Sequence, residues 1–315
     1  MSPCQAPLVR HSSDEVPWGA PDAPLRPPPS PRHLRRLTRE GSAMASSNIV
    51  VAHADTGLIT AEVVRAERIS PNFVRLTIGG DDLARWRHLG FDQWFRLAMP
   101  VAGDATRFDR MSDRFDTRGY LKYLALPKAT RPEIRNYTVR AFRPEAAEMD
   151  IDFVVHESSD PAHAGVAAPW ATSLPIGDRV ALIDQGCGYR EVAGTDRVLL
   201  VGDETALPAV LGILRDLPAE STGHAIIEVP DAADRQAVTA PAGVDVQWIV
   251  RQPHARPGAQ ALDALRALPE SAADGPVSAF IAGEQQLATG GRRHLVNERG
   301  VAKHAVDFCG YWRQS

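Results

Sequence analysis

Hydrophobic and polar residues alternate from Leu58 onward, with the period of two that strands with one buried face require. The alternating segments are short, and Gly, Pro and Asp residues typical of turns separate them. This arrangement predicts an antiparallel β-barrel. Strands are expected at 59–63, 74–78, 93–99, 135–142, 149–155 and 179–183.

After Gly194 the apolar residues form short continuous runs instead, and these runs alternate with stretches of helical periodicity. Such a pattern is typical of a parallel sheet covered by helices on both faces. We therefore predict an α+β two-domain protein, in which an antiparallel β-barrel precedes an α/β domain. Strands are expected at 198–201, 225–229, 244–250, 277–281 and 306–308, and helices at 206–216, 259–268 and 285–298.

The predicted division of the chain is an extension at 1–57, a barrel domain at 58–192 and an α/β domain at 193–315. The extension is rich in Pro and Arg and poor in buriable residues, so we expect it to be mostly disordered. Its Arg run could contact nucleic acid or membrane, or simply be a solvated tail. Translation could also begin at Met44. The long polar connection at 100–132, partly helical at 118–126, is expected to shape an open site.

Charge and cysteine content argue against several classes of protein and of site. The 315 residues carry a formal net charge of −4, which argues against a general nucleic-acid binder. The cysteines are Cys4, Cys187 and Cys309, and their spacing favours neither a disulfide framework nor a metal cluster. We expect a cytoplasmic protein, a monomer or weak dimer. No apolar run reaches the roughly 18–20 residues of a membrane span.

The hexapeptide Arg135-Asn136-Tyr137-Thr138-Val139-Arg140 carries unusual chemistry for a strand. Alternation would place 135, 137 and 139 on one face and 136, 138 and 140 on the other. A guanidinium can bind phosphate oxygens, a phenol can lie against a planar ring, and a hydroxyl can bond a ring nitrogen. A flavin nucleotide combines these features.

Arg-x-Tyr-Thr resembles the flavin-binding signature of ferredoxin-reductase-like flavoproteins, and the longer hexapeptide resembles the siderophore-interacting protein family. Three further segments resemble that family in the same order, so that the resemblance covers roughly residues 58–315. They are Gly202-Asp203-Glu204-Thr205-Ala206-Leu207-Pro208-Ala209, Ala282-Gly283-Glu284 and Gly310-Tyr311-Trp312-Arg313.

The resemblance implies that the barrel holds FAD. Arg135 would contact the pyrophosphate, Tyr137 the isoalloxazine ring and Thr138 the ring edge near N5, which makes Tyr137 and Thr138 the expected catalytic pair. His156 is either a cofactor contact or a structural histidine, and Glu157 departs from the glycine usual in the family. Further FAD contacts are expected from Val139, Asp152, His156, Trp170 and Ala171.

The resemblance also implies that the α/β domain receives NADPH or NADH. The turn at Asp203 and Thr205 would face the flavin and nicotinamide, although Asp203 and Glu204 could instead cap the following helix. Gly283 and Glu284 are expected to contribute to the cofactor site, with Tyr311 and Trp312 beside the flavin. Glu228, at a strand end, could favour a ribose hydroxyl and hence NADH.

The implied reaction is hydride transfer to FAD followed by single-electron reduction of a ferric siderophore, with release of Fe(II) and no metal site in the protein. Arg251 and Lys303 are the expected contacts to an anionic substrate, or else ordinary exposed charges. Two alternatives remain: a flavin or electron-transfer reductase with another acceptor, and a protein that binds siderophores without reducing them.

Overall fold

The computed structural model describes residues 47–52, 56–101, 103–155 and 165–314. All of them lie within one compact unit, Met44–Ser315. They form a seven-stranded antiparallel sheet followed by a five-stranded parallel sheet with helices, which confirms the predicted fold class.

The antiparallel sheet has the strand order β4-β3-β7-β1-β2-β6-β5. It curls toward closure, since Arg140 N donates to Asp150 O at 2.9 Å and the Tyr137 and Phe153 rings lie 4.3 Å apart. This leaves β4, the signature strand, at the edge of the hydrogen-bonded order. The strands are β1 (Leu58–Ser70), β2 (Phe73–Gly79), β3 (Trp94–Met99), β4 (Glu133–Thr138), β5 (Ala141–Arg143), β6 (Glu148–Val154) and β7 (Arg179–Gly186).

The inner face of this sheet buries an apolar core that includes Phe95, Leu97 and Phe153. The outer face is covered by the connection at 100–132, whose Phe108 and Phe115 belong to a smaller cluster with the sheet. The connection, which was expected to shape an open site, is therefore packed in part against the sheet. It contains helix α1 (Thr117–Leu124), and helix α2 (Ala167–Thr172) precedes β7.

The parallel sheet has the order β10-β9-β8-β11-β12. Separate apolar clusters lie on its two faces, one built with α3 and the other with α4 and α5. Its strands are β8 (Arg197–Gly202), β9 (Thr222–Val229), β10 (Gly243–Val250), β11 (Ser278–Glu284) and β12 (Val306–Trp312), and its helices are α3 (Leu207–Asp216), α4 (Ala259–Ala267) and α5 (Gln285–Arg293).

Carboxylates of the α/β part hold it against the antiparallel sheet. Asp216 accepts a hydrogen bond from Phe91 N at 2.5 Å, and Asp234 accepts from Ser70 Oγ at 2.6 Å and Asn72 Nδ2 at 2.7 Å. The backbones also approach closely, because a Cβ at Gly212 would lie 2.2 Å from Phe91 O. These contacts hold the α/β part against the β1–β2 turn and against the residues just before β3.

The predicted disorder of 1–57 needs correction for residues 47–52. The Asn48 side chain donates to Val306 O at 2.8 Å and accepts from Phe308 N at 2.9 Å, and Ala52 N donates to Gln185 O at 3.0 Å. This segment therefore connects β12 to β7. Residues 1–46, with the Arg run and both candidate start sites, lie outside the described residues.

No helix within the described ranges has the length and apolarity to cross a bilayer. Nor do three or more His, Cys, Asp or Glu side chains in those ranges form a group suited to a metal ion.

Candidate functional site

The signature strand β4 divides its side chains between two faces. Tyr137 and Arg135 lie opposite Phe95 and Leu97 of β3, whereas Thr138 lies opposite Trp94. Tyr137 is half-buried against Phe153, and burial raises the pKa of its phenol well above the ordinary value. The Arg135 guanidinium is exposed, where it pairs with Glu133 and donates to Ile134 O at 2.8 Å.

Thr138, the last residue of β4, lies where the antiparallel sheet approaches the parallel sheet. Its side chain lies next to the Tyr311 phenol, which comes from the end of β12. Desolvation raises the pKa of Tyr311, and the nearby charges of Asp92 and Asp203 raise it further, whereas the influence of Thr138 lowers the pKa of that phenol in part. The first and last segments of the family resemblance are thus neighbours at this point.

The three α/β segments converge on the Asp203 carboxylate, which is fully buried. One oxygen accepts from Thr205 N at 2.9 Å and Thr205 Oγ1 at 2.6 Å. The other accepts from Glu284 N at 2.5 Å and Trp312 Nε1 at 3.3 Å. A Cβ at Gly283 would lie 2.5 Å from this carboxylate, so a side chain larger than hydrogen does not fit there. Burial and the adjacent Glu204 raise the pKa of Asp203 to about 6.

Asp203 therefore joins the turn at Thr205 to Glu284 and Trp312. It does not cap the following helix, as considered from the sequence, because that helix has Ala206 at its N-cap and no side-chain cap bond. The four hydrogen bonds of Asp203 position Thr205 and Trp312, the residues that remain candidates for direct cofactor contact. Glu284 behaves similarly: it is fully buried, and its carboxylate accepts from Gln286 N at 2.5 Å at the start of α5.

Arg251 forms an internal ion triad with two fully buried carboxylates, Glu204 and Glu228. Its Nε donates to Glu228 at 2.6 Å, and its side chain is 11% exposed. Glu228 also accepts from Gly258 N at 2.8 Å and Ala261 N at 2.9 Å, at the start of α4. The Arg251 charge is thus already balanced within the fold. Glu228 is not available for the ribose contact considered from the sequence.

Lys303 is exposed, as expected for a substrate contact, but it precedes β12. Arg251 follows the carboxyl end of β10, and all strands of this sheet run in parallel. The seven residues of β12 separate Lys303 from the site edge by about 20 Å. The expectation that both cations line one mouth of the site is therefore wrong, since they lie at opposite edges of the sheet.

The remaining predicted FAD contacts lie in packed positions. Trp170 Nε1 donates to Asp178 at 2.7 Å, and its ring packs edge-on against Phe153. Ala171 and Val139 are buried in the inner core. The Asp152 carboxylate accepts from Arg75 Nε at 2.6 Å and Gln236 Nε2 at 2.9 Å. Their cofactor roles stay predictions, and His156 lies outside the described residues.

Sequence reasoning missed Asp92, which comes just before β3. This carboxylate is 1% exposed and accepts hydrogen bonds from Gly188 N and Tyr189 N at 2.9–3.2 Å. Burial raises its pKa to about 6. It holds the segment between the two sheets close to Tyr311. Its only sequence signal was an acidic residue at a strand start, which is common.

Comparison with known proteins adds to this geometry. Residues 62–187 match the siderophore-interacting FAD-binding domain, and residues 195–315 match the siderophore-interacting protein model. A siderophore utilization protein from T. fusca of known structure is 31% identical, with a TM-score of 0.63 over 84% of this chain and 96% of that chain. The chain belongs to the siderophore-interacting protein family.

Two family relatives have names that state an activity. The ferric vibriobactin reductase of Vibrio cholerae is 28% identical over 255 residues, which are 80% of this chain and 88% of that protein. The NADPH-dependent ferric-chelate reductase of Escherichia coli is 25% identical over 253 residues, or 79% and 91% of the two chains. Both alignments extend over the two sheets.

Proposed function

We propose that this siderophore-interacting protein is an FAD-dependent reductase that uses NADPH or NADH to reduce ferric siderophores and release Fe(II). The observation that carries the proposal is the contact between Thr138 and Tyr311, next to the Asp203 junction. It unites all four family segments at the meeting point of the two sheets. The names of the Vibrio and Escherichia relatives support the same reaction.

The residues present fit FAD. The signature strand has a free edge, and the Arg135 guanidinium is exposed. The indole Nε1 of Trp94, directly opposite Thr138, is shielded from solvent and has no hydrogen-bond partner in the described parts of the chain. An unmet buried donor at this position suits a ligand that carries acceptors.

When bound, the flavin supplies the chemistry that converts a two-electron donor into the one-electron steps that Fe(III) requires. Arg135 would bind the phosphates, Tyr137 would pack against the ring system, and the Thr138 hydroxyl would orient the ring edge. Tyr311 and Trp312 would shield the ring from water, with Trp312 held in place by Asp203.

Recognition of an anionic ferric chelate requires positive charge near Trp312. Arg251 and Lys303 were the predicted contacts, but the first is neutralised and the second lies at the far edge. Arg313 follows Trp312 directly and is exposed, and the Arg256 side chain is 41% exposed with Glu284 at 3.6 Å. We therefore assign these two arginines to the substrate contact.

The proposal includes an FAD domain at 58–192 and a nicotinamide-nucleotide domain at 193–315, which the matched ranges support. It also includes a cytoplasmic location, for which the free thiols of Cys187 and Cys309 suit a reducing compartment. A monomer or weak dimer and the lack of a nucleic-acid partner are carried forward from the sequence.

A steady-state assay with a ferrous-specific chelator tests the proposal. The purified, FAD-loaded protein should reduce a ferric siderophore with NADPH or NADH, and it should use free flavin as acceptor much less well. Greater turnover with free flavin would favour the general flavin reductase. Binding of a ferric siderophore by protein that takes up no FAD would favour the non-enzymatic role.

A further inference from the structure

The outer face of β3 carries two side chains that the proposed function has not used. Trp94 and Arg96 are two residues apart on this strand, so their side chains point to the same side. The strand register places Trp94 opposite Thr138 and Arg96 opposite Asn136. Both side chains therefore lie next to the flavin signature, on the Thr138 face.

The indole N–H of Trp94 is a buried donor without an acceptor in the described ranges. Two other indoles, Trp170 and Trp312, donate to Asp178 and Asp203, whereas the Trp86 indole also lacks a partner in the described ranges. A buried donor left unpaired costs about 1–3 kcal/mol. The position of Trp94 thus calls for an acceptor from outside the described chain.

Arg96, like Trp94, has a buried donor without a partner in the described ranges, and it is charged. Its guanidinium lies over the Phe115 ring at 4.3 Å, and its Nε is shielded without a hydrogen-bond partner in the described residues. Other half-buried arginines of this sheet, such as Arg75 and Arg143, pair with carboxylates. Desolvation lowers the pKa of Arg96. A desolvated cation of this kind is stabilised by an anion.

We propose that the outer face of β3 completes the FAD site: Trp94 donates to an acceptor of the flavin ring and Arg96 binds a phosphate oxygen. This inference rests on the proposed function, which places FAD along β4. The order of these residues along the two strands agrees with the proposed orientation of FAD. Trp94 is opposite Thr138, the predicted ring contact, and Arg96 is displaced along the strand toward Arg135, the predicted phosphate contact. Residues two apart on a strand are separated by about 6.6 Å, which suits a ligand with a ring and a phosphate at different points.

Binding of FAD, FMN and riboflavin to flavin-free protein, followed by flavin fluorescence, separates the two roles. Trp94→Phe should weaken all three ligands about tenfold, the loss expected for one buried hydrogen bond. Arg96→Met should weaken FAD and FMN by about tenfold or more, because the charge-assisted bond to phosphate is lost. Riboflavin, which has no phosphate, should bind Arg96→Met nearly as well as it binds the wild type.

Trp86→Phe is the matched control. The Trp86 Nε1 is also buried without a partner among the described residues, but its ring packs edge-on against Phe95 in the inner core. This change should leave binding of all three ligands unchanged. The inference is overturned if Trp94→Phe binds them like Trp86→Phe, or if Arg96→Met weakens riboflavin as much as FAD.

A measurement on the unsubstituted protein covers the possibility that a variant does not fold. In ¹H–¹⁵N spectra, the indole N–H resonance of Trp94 should shift downfield when FAD binds, and that of Trp86 should not. An unmoved Trp94 resonance in FAD-saturated protein would contradict the inference while leaving the proposed function intact. A wild-type protein that binds no flavin at all would instead refute the proposed function.

Discussion

The carboxyl edge of the parallel sheet and the outer face of β3–β4 are both polar, but they differ in how their polar groups are satisfied. At the sheet edge, Asp203, Glu228 and Glu284 are fully buried, and each accepts hydrogen bonds from its own chain. On the outer face, the donors of Trp94 and Arg96 lack acceptors within the described chain.

This difference indicates that the polar groups at the sheet edge stabilise the fold, as a framework, whereas those on the outer face of β3–β4 form a binding surface. The acids of the family segments draw loops and helix starts together, and they place Trp312 and Thr205 without needing a ligand. The unmet donors of β3 are stabilised only when something else supplies acceptors. Polar residues in a family motif therefore need not touch the cofactor, and the cofactor can be bound by residues outside the motif.

If the sheet edge is a framework, substitution of Arg251 should cause the largest loss of stability. Arg251→Ala would leave Glu204 and Glu228 buried without their cation, so it should lower the free energy of unfolding by about 3–5 kcal/mol. Urea denaturation measures this change. Lys303→Ala, an exposed position, is the control and should change stability by less than about 0.5 kcal/mol. Equal stabilities of the two variants would contradict the framework role of Arg251.

Substitution of Gly283 tests the same region by steric contact rather than by charge. An added Cβ would lie 2.5 Å from the Asp203 carboxyl, at a backbone φ of +128°. We expect Gly283→Ala to lower the free energy of unfolding by about 3 kcal/mol. Gly275→Ala is matched, because Gly275 also has a positive φ (+78°) but has open space around its Cβ position. It should cost about 1 kcal/mol, and similar losses in both would show that the contact with Asp203 is unimportant.

Asp92 should give a smaller effect, visible as a pH dependence. Its folded-state pKa of about 6 lies above the unfolded value of about 3.9, so the folded state binds the proton more tightly. Stability from this group is present below pH 4 and is lost as the pH rises toward 6. Asp92→Asn should therefore reduce the fall in unfolding free energy between pH 4.5 and 6.5 by about 1–2 kcal/mol.

The comparison with the unsubstituted protein subtracts the other titrating groups, including Asp203, whose pKa is also about 6. Identical pH profiles for Asp92→Asn and the wild type would show that Asp92 titrates normally. That result would contradict the claim that burial raises the pKa of Asp92.

Periodicity predicted the fold because it records burial directly. The change from alternating to continuous apolar segments near Gly194 reflects a sheet whose outer face is only partly covered, followed by a sheet buried on both faces. It could not predict that residues 47–52 are ordered, since their order depends on Asn48 bonding to β12 more than 250 residues away. Nor could it predict that β12 extends to Trp312.

For the candidate site, the sequence predicted the segments involved but not the role of each residue. The segments were found by resemblance, but residue types alone did not distinguish Arg251, which is neutralised internally, from an arginine free to bind substrate. Arg96 did leave a signal, as a single charged residue in the otherwise apolar strand Trp94–Met99. Its meaning depends on the absence of a nearby carboxylate in the described structure, which only the fold can show.

The measurement that tests the central claim most directly is the anaerobic absorbance of the FAD-loaded protein. Addition of NADPH or NADH should bleach the flavin band, and a ferric siderophore added next should restore it while a ferrous-specific chelator reports Fe(II). That sequence would establish the reductase cycle and identify the donor. A bound flavin that neither nucleotide bleaches, or a bleached flavin that no ferric siderophore reoxidises, would contradict it.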